Sequence, residues 1–135
     1  MKYNELKTML DVFVEQTRNI FSDINIRHSE KPFEFNKEAS NEKIRFGGAK
    51  GVYIIALPDD DVILVGKSKT TIGESVRERQ EEIKSEAVKH NTFGDFKVHT
   101  IRVMPAIYKS LIEVFCLTAA FAQDGKLPVL NDKIA

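Results

Sequence analysis

The sequence predicts a small α+β domain with a mainly antiparallel three-stranded sheet flanked by helices. Residues 51–57 and 62–65 are β-rich runs, and the turn chemistry of residues 58–61 between them predicts a hairpin. Residues 97–103 alternate between apolar and polar side chains, which predicts a third strand ending before Pro105. Helical apolar spacing occurs before, between and after these strands. The predicted order is helix, hairpin, helix, strand, helix.

Three segments carry helical patterns. The first spans residues 4–24 with Asn4 as its N-cap, and its apolar side is formed by Leu6, Met9, Leu10, Phe13, Thr17, Ile20, Phe21 and Ile24. The second ends near His90 and aligns on one face Val76, Gln80, Ile83 and Ala87. The third, residues 107–122, is apolar nearly all round, so it is expected to pack on more than one side before Gly125 and Pro128 end it.

A chain of 135 residues is about one domain long. Residues 1–46 are interpreted as an N-terminal helix and a connecting segment, with a short strand at residues 44–46, packed on a domain of residues 47–135. The helix is either a lid on the domain's own core or an interface for a homodimer or partner protein, and its stripe of Met9, Phe13 and Ile20 would serve either use.

Composition restricts the partners and the compartment. The 20 basic and 20 acidic residues balance, so any nucleic-acid site must be a local basic patch. The single cysteine, Cys116, allows no internal disulfide and fits a reducing cytoplasm. No segment approaches the roughly 20 apolar residues of a membrane helix, so we expect no membrane association.

Glu113 is the most informative single residue. It is the only charged side chain between Ser110 and Gln123, in a helix otherwise suited to burial. Because burying a lone carboxylate is costly, it requires a cation or hydrogen-bond donors. It either belongs to a functional site, lies on a narrow exposed stripe, or pairs with an arginine for stability.

Read together with other motifs, Glu113 completes a known pattern. Gly51-Val-Tyr53 and Leu64-Val-Gly66-Lys67-Ser68 lie on the two hairpin strands, Arg79 on the next helix, and Leu127-Pro-Val-Leu-Asn131 after the last helix. In order and approximate spacing, from about Gly47 to Asn131, the chain resembles the GIY-YIG nuclease superfamily.

The resemblance implies a metal-dependent endonuclease that hydrolyses phosphodiester bonds in DNA. Tyr53 would activate the attacking water as general base or relay. Lys67 would lower the pKa of Tyr53 or orient the water. Arg79 would stabilise charge on the phosphate, and Glu113 would bind one divalent cation, Mg²⁺ or Mn²⁺. Asn131 would order the active-site end of the glutamate helix, unless it is only an asparagine in a terminal turn.

The chain departs from the family pattern at two positions. Leu64 replaces the tyrosine of the YIG element, and Ile83 stands where the family often has histidine or tyrosine, one turn after Arg79. The resemblance favours Arg79 over Arg77, because family members tend to have an aliphatic residue three positions before the catalytic arginine, as Val76 is here, and Arg77 would point to a different helix face. The departures leave open a catalytically weak or inactive module that binds nucleic acid or protein.

Other readings of the motifs are less favoured. Gly66-Lys67-Ser68 ends like a phosphate-binding loop, but Asp61 occupies the position of the first glycine. The three histidines, His28, His90 and His99, lack the paired spacing of a metal site. The residues Lys50, Lys67, Lys69, Arg77, Arg79 and Lys84 could form a local basic patch or a solvated helix face. The chain shows no zinc finger or helix-turn-helix, so sequence preference cannot be read from it.

Overall fold

The computed structural model of this protein describes residues 1–90 and 95–131. In these residues the element order is α1 (Tyr3–Gln16), β1 (Asn25–His28), β2 (Phe33–Glu34), β3 (Gly51–Ala56), β4 (Val62–Lys67), α2 (Ile72–Lys89), β5 (Lys97–Met104) and α3 (Lys109–Asp124). A short 3₁₀ helix, Ala106–Tyr108, precedes α3. The α+β class, the β3–β4 hairpin, α2 and β5 are confirmed. The predicted strand count of three is wrong, because the described chain has five.

The sheet is antiparallel, with the order β1-β5-β3-β4, and β2 also pairs with β5. The two additional strands lie in the segment that the sequence assigned to connecting structure. The short strand predicted at residues 44–46 is wrong, since these residues form turns and a bend. The division at residue 47 stays a prediction, but the segment before it contributes two strands to the common sheet.

The sheet separates two hydrophobic cores. The face toward α2 buries Tyr53, Ile55, Val76 and Ile83 among others, and the face toward α1 and α3 buries Leu6, Leu10, Val52, Ile54 and Ile112 among others. All six residues of β3 are buried, as expected for a central strand covered on both faces. The predicted inward face of α2, Val76, Gln80, Ile83 and Ala87, is confirmed.

Helix α1 is shorter than predicted and lies on the protein's own core. Its N-cap is Lys2, without a side-chain hydrogen bond, so the assignment of Asn4 is wrong. It ends at Gln16, where the Thr17 hydroxyl donates to the Phe13 carbonyl oxygen at 2.9 Å and offers the backbone an alternative to helix. Met9 and Ile20 are exposed, whereas Leu6 and Leu10 are fully buried, which supports the lid.

Helix α3 buries one side rather than several. Ile112, Cys116, Ala119 and Ala120 face the sheet, whereas Val114 and Phe121 are more than half exposed. It ends at Asp124, and the C-cap is Gly125 with a left-handed φ of 74°, which confirms the prediction that this glycine stops the helix. By length and composition alone Ala106–Asp124 could cross a membrane, contrary to the expectation for this chain. A single such helix is weak evidence, since a helix of a soluble core passes the same test.

Candidate active site

The hairpin places Tyr53 directly beside Gly66. The two are register partners in β3 and β4, and a Cβ atom built on Gly66 would lie 2.4 Å from Tyr53 Cζ and 2.5 Å from its hydroxyl oxygen. The tyrosine ring therefore occupies the volume that any side chain at position 66 would need. Gly66 lets the ring lie across edge strand β4 and reach the end of the sheet where Lys67 follows.

We expect Gly66→Ala to destabilise the fold by about 1–3 kcal/mol, because the added methyl group overpacks against the buried Tyr53 ring. Gly48→Ala is the matched control, since nothing lies within 4 Å of a Cβ atom there. Urea unfolding followed by circular dichroism measures both. Equal stabilities for the two variants would contradict this placement of the ring.

Tyr53 is a buried phenol with a free hydroxyl. The side chain is 2% exposed, and burial raises its pKa to about 12, with the nearby Arg79 charge opposing the shift and Glu113 adding to it. Its hydroxyl has no hydrogen-bond partner within the described part of the chain. At neutral pH the phenol is protonated. The net shift is upward, and the role of Lys67 in lowering this pKa or orienting the water stays a prediction.

Glu113 is half-buried on α3, close to the end of β4. Burial raises the pKa of its carboxyl, while the Lys67 charge, the Lys67 backbone N–H and the Arg79 charge lower it. It forms no ion pair with the described residues, so the structural ion pair does not describe it. This carboxylate feels the charges of two cationic side chains and faces the Lys67 N–H, but it has no ion-pair partner among the described residues, so it is available to a ligand.

Two further α3 residues, which the sequence interpretation missed, tie this helix to β4. Lys67 Nζ donates to Ser110 Oγ at 2.9 Å, and Lys109 Nζ donates to the Ser68 carbonyl oxygen. Lys109 lies one helical turn before Glu113, and this i,i+4 spacing was a signal available in the sequence. The contacts position the first turn of α3, and with it Glu113, against the end of the hairpin.

The structure distinguishes the two arginines of α2. Arg79 is close enough for its charge to act on both Tyr53 and Glu113, and it makes no ion pair or hydrogen bond with the residues described. Arg77 pairs with Glu74 at 3.6 Å and lines a separate cavity of about 360 Å³. Of the two, only Arg79 belongs to the group formed by Tyr53, Lys67 and Glu113, which we call the candidate site.

Asn131 contacts β4 and not the glutamate helix. Its Oδ1 accepts from the Val65 N–H at 2.9 Å, and its Nδ2 donates to the Val65 carbonyl oxygen at 2.8 Å. The Leu130 N–H also donates to the Ile63 carbonyl oxygen. Together these bonds cover the free edge of β4, whose unpaired groups would otherwise be open to other strands. The role predicted for Asn131 is therefore corrected: it fixes the strand that carries Gly66 and Lys67.

We expect Asn131→Ala to lower the free energy of unfolding by about 1–3 kcal/mol, because two hydrogen bonds to Val65 are lost. Asn131→Asp should cause a loss at least as large, since a carboxylate would replace the amide donor that faces the Val65 carbonyl. Equilibrium unfolding in urea measures both variants. Unchanged stability in Asn131→Ala would show that water replaces these bonds at no cost.

The six basic residues grouped from the sequence differ in their surroundings, and the local basic patch stays a prediction. Lys84 lines the same cavity as Arg77, together with Glu38 and Glu81. Lys50 and Lys69 are exposed. Of these six basic residues, only Lys67 and Arg79 carry charges that lower the pKa of Glu113.

The three histidines contact other side chains, and the two residues that depart from the family pattern, Leu64 and Ile83, lie in the core. His28 pairs with Asp11 at 2.7 Å, His90 lies 3.9 Å from Glu86, and His99 stacks on Tyr3. They are separate, so they form no joint metal site. Leu64 and Ile83 are fully buried in the core on the α2 side, where they contribute apolar packing and no hydroxyl.

A divalent cation would have one protein carboxylate here. Across residues 1–90 and 95–131, no group of three or more histidine, cysteine, aspartate or glutamate side chains could hold a metal ion. Glu113 supplies hard oxygen, which suits Mg²⁺ or Mn²⁺, and the remaining ligands would be water and phosphate oxygens. The donor set thus fits a cation shared with a phosphate substrate.

No protein-family model matches the chain, and a search of curated proteins gave no match.

Proposed function

We propose that this protein is a metal-dependent endonuclease that hydrolyses phosphodiester bonds in DNA. The observation that carries the proposal is the convergence on Glu113 of two cationic side chains, Lys67 and Arg79, with Tyr53 beside them. These residues come from four different elements, β3, β4, α2 and α3. Phosphodiester hydrolysis needs this set of groups: cations for the phosphate, a carboxylate for a metal, and a polar group for the attacking water.

In this proposal, each side chain has one task. Arg79 contacts the scissile phosphate and neutralises the charge that develops on its oxygens, because its guanidinium has no other partner among the described residues. Lys67, held by Ser110, adds a second positive charge. Glu113 would hold Mg²⁺ or Mn²⁺. Such an ion, when bound, polarises the phosphate and supports the leaving oxygen.

Tyr53 acts through its hydroxyl as a relay. A phenol with a pKa of about 12 is protonated at neutral pH, so it is not a deprotonated base before the reaction begins. It orients the attacking water by hydrogen bonding and accepts the water's proton as its own proton passes to solvent. Asn131 positions β4 for this purpose and contacts no substrate.

DNA is the proposed substrate. The cytoplasm is the proposed compartment, since the single cysteine, Cys116, allows no internal disulfide and fits a reducing environment. The fully buried side of α1 packs on the chain's own core. A dimer or partner protein that contacts α1 stays a prediction.

A binding module without cleavage is the second candidate. The buried Leu64 provides no hydroxyl where the family pattern has tyrosine, and the raised pKa of Tyr53 weakens it as a base. This candidate predicts affinity for nucleic acid or protein and no metal-dependent product.

The deciding experiment incubates the protein with supercoiled plasmid and with flap or branched DNA in Mg²⁺, in Mn²⁺ and in EDTA. Nicked or shortened products that require the metal support the endonuclease. Binding without any product, on all of these substrates, overturns it and leaves the binding module.

A further inference from the structure

Three arginines surround the ring of Phe46, away from the candidate site. Arg45 Cζ lies 4.4 Å from the ring centroid, Arg102 Cζ 5.5 Å and Arg27 Cζ 5.7 Å. These distances are within the range of cation–π attraction, which helps to keep the guanidinium groups together. We call these four residues the arginine patch.

The arginine patch has no anionic partner among the residues that the structure describes. None of its arginines forms an ion pair within residues 1–90 and 95–131. The Nε atom of Arg102 is buried without a hydrogen-bond acceptor. Three like charges on one ring repel each other, and a buried donor without an acceptor costs free energy. Both costs would be relieved by a ligand that supplies negative oxygen atoms.

The backbone of the patch is also strained. Phe46 has a φ of 62°, in the left-handed region that bulky residues rarely adopt. Its neighbour Arg45 is held by the bond from Thr100 Oγ1 to the Arg45 carbonyl oxygen at 2.6 Å. The loop is thus fixed with the ring between the arginines, which is consistent with a functional site.

The sheet connects the patch with the candidate site. Arg27 of β1 is opposite Arg102 of β5, Arg102 is opposite Gly51 of β3, and the Gly51 carbonyl oxygen accepts from the Ser68 N–H just after β4. These residues form one row across the end of the sheet. With strands roughly 4.8 Å apart, Arg102 lies about 10 Å from the end of β4. A DNA strand, which rises about 3.4 Å per nucleotide, covers this distance of about 10 Å in about three nucleotides.

We propose that Arg27, Arg45 and Arg102 form a phosphate-binding site for the backbone of a DNA strand that extends from the candidate site. The identity of the ligand rests on the proposed function. Guanidinium groups suit this ligand because their planar donors match phosphate oxygens. The patch contacts backbone and reads no bases, so it increases affinity equally for all sequences.

The test measures DNA binding in EDTA, where cleavage does not interfere. Fluorescence anisotropy of a labelled 20-base-pair duplex, titrated at several salt concentrations, compares the wild type with Arg27→Gln/Arg45→Gln. Arg18→Gln/Arg77→Gln is the matched control, because it removes the same charge from arginines that are ion-paired with Glu15 and Glu74. Melting curves show that each variant is folded, and Arg45→Gln alone serves if the double variant is not.

Loss of two phosphate contacts should reduce the slope of log affinity against log salt by about 1.8. This corresponds to a loss of roughly 60-fold in affinity at 0.1 M salt relative to 1 M salt. The control should keep the wild-type slope. An unchanged slope in the patch variant, an equal loss in the control, or no DNA binding by the wild type overturns the proposal.

The cleavage assay separates this inference from the proposed function. If the wild type cleaves DNA and the patch variant keeps its salt slope and KM, the patch is wrong and the endonuclease stands. If the patch variant loses affinity and no protein cleaves any substrate, the endonuclease is wrong and the patch stands.

Discussion

Glu113→Gln is expected to reduce metal-dependent DNA cleavage by at least about a thousandfold. A metal Lewis acid contributes several kcal/mol of transition-state stabilisation, and each 1.4 kcal/mol is a factor of ten in rate. Glutamine has the same shape and keeps an oxygen that can face the Lys67 N–H, but it carries no charge for a cation. Single-turnover cleavage at several Mg²⁺ concentrations measures the effect.

The substitution should leave the fold intact, and the sign of the pKa shift gives the reason. Burial raises the pKa of Glu113 above its ordinary value, so its contribution to stability is present below the unfolded pKa and is lost as pH rises through the folded pKa. At neutral pH the fold therefore bears the cost of desolvating a charged carboxylate, which an uncharged side chain avoids. Glu113→Gln should be at least as stable as the wild type at pH 7.

Glu82→Gln provides a strict control for Glu113→Gln. The charge of Glu82 also acts on Tyr53, but its side chain is exposed on α2. The Glu82→Gln variant should cleave DNA at nearly the wild-type rate. Substantial cleavage by folded Glu113→Gln would show that Glu113 is not the metal ligand, and would leave its carboxylate with the structural task of facing the Lys67 N–H.

Arg79→Gln is expected to lower the rate constant of cleavage by about a hundred- to a thousandfold, the cost of removing one positioned group that stabilises developing charge. Its guanidinium acts on both Tyr53 and Glu113. We expect Arg79→Lys to recover only part of the rate, because an ammonium group keeps the charge and loses the planar donors. Rates at saturating DNA separate this effect from binding.

Arg77→Gln is the matched control on the same helix. Arg77 is exposed and paired with Glu74, and exposed pairs of this kind contribute little. Its cleavage rate should remain near that of the wild type. A larger loss in Arg77→Gln than in Arg79→Gln would assign the catalytic arginine to the other face of α2.

The sequence determined the elements whose residues are buried in a regular pattern. The hairpin, β5 and the inward face of α2 were predicted because each repeats apolar side chains with the period of its structure. The strands β1 and β2 were missed for the opposite reason: β1 has no fully buried residue, and β2 has two residues. Their position depends on hydrogen bonds to β5, which leave no pattern in the segment itself.

The site shows the same division. The family resemblance proposed Tyr53, Lys67, Arg79 and Glu113, and in the structure the charges of Lys67 and Arg79 act on Glu113 and that of Arg79 also acts on Tyr53. The tertiary structure alone decided that Asn131 bonds to Val65, that Lys109 and Ser110 meet the end of β4, and that three arginines surround Phe46. Apart from the contact between the neighbours Arg45 and Phe46, each of these contacts joins residues far apart in the chain. Such contacts follow from how the layers pack, whereas local periodicity reports only which side of an element is buried.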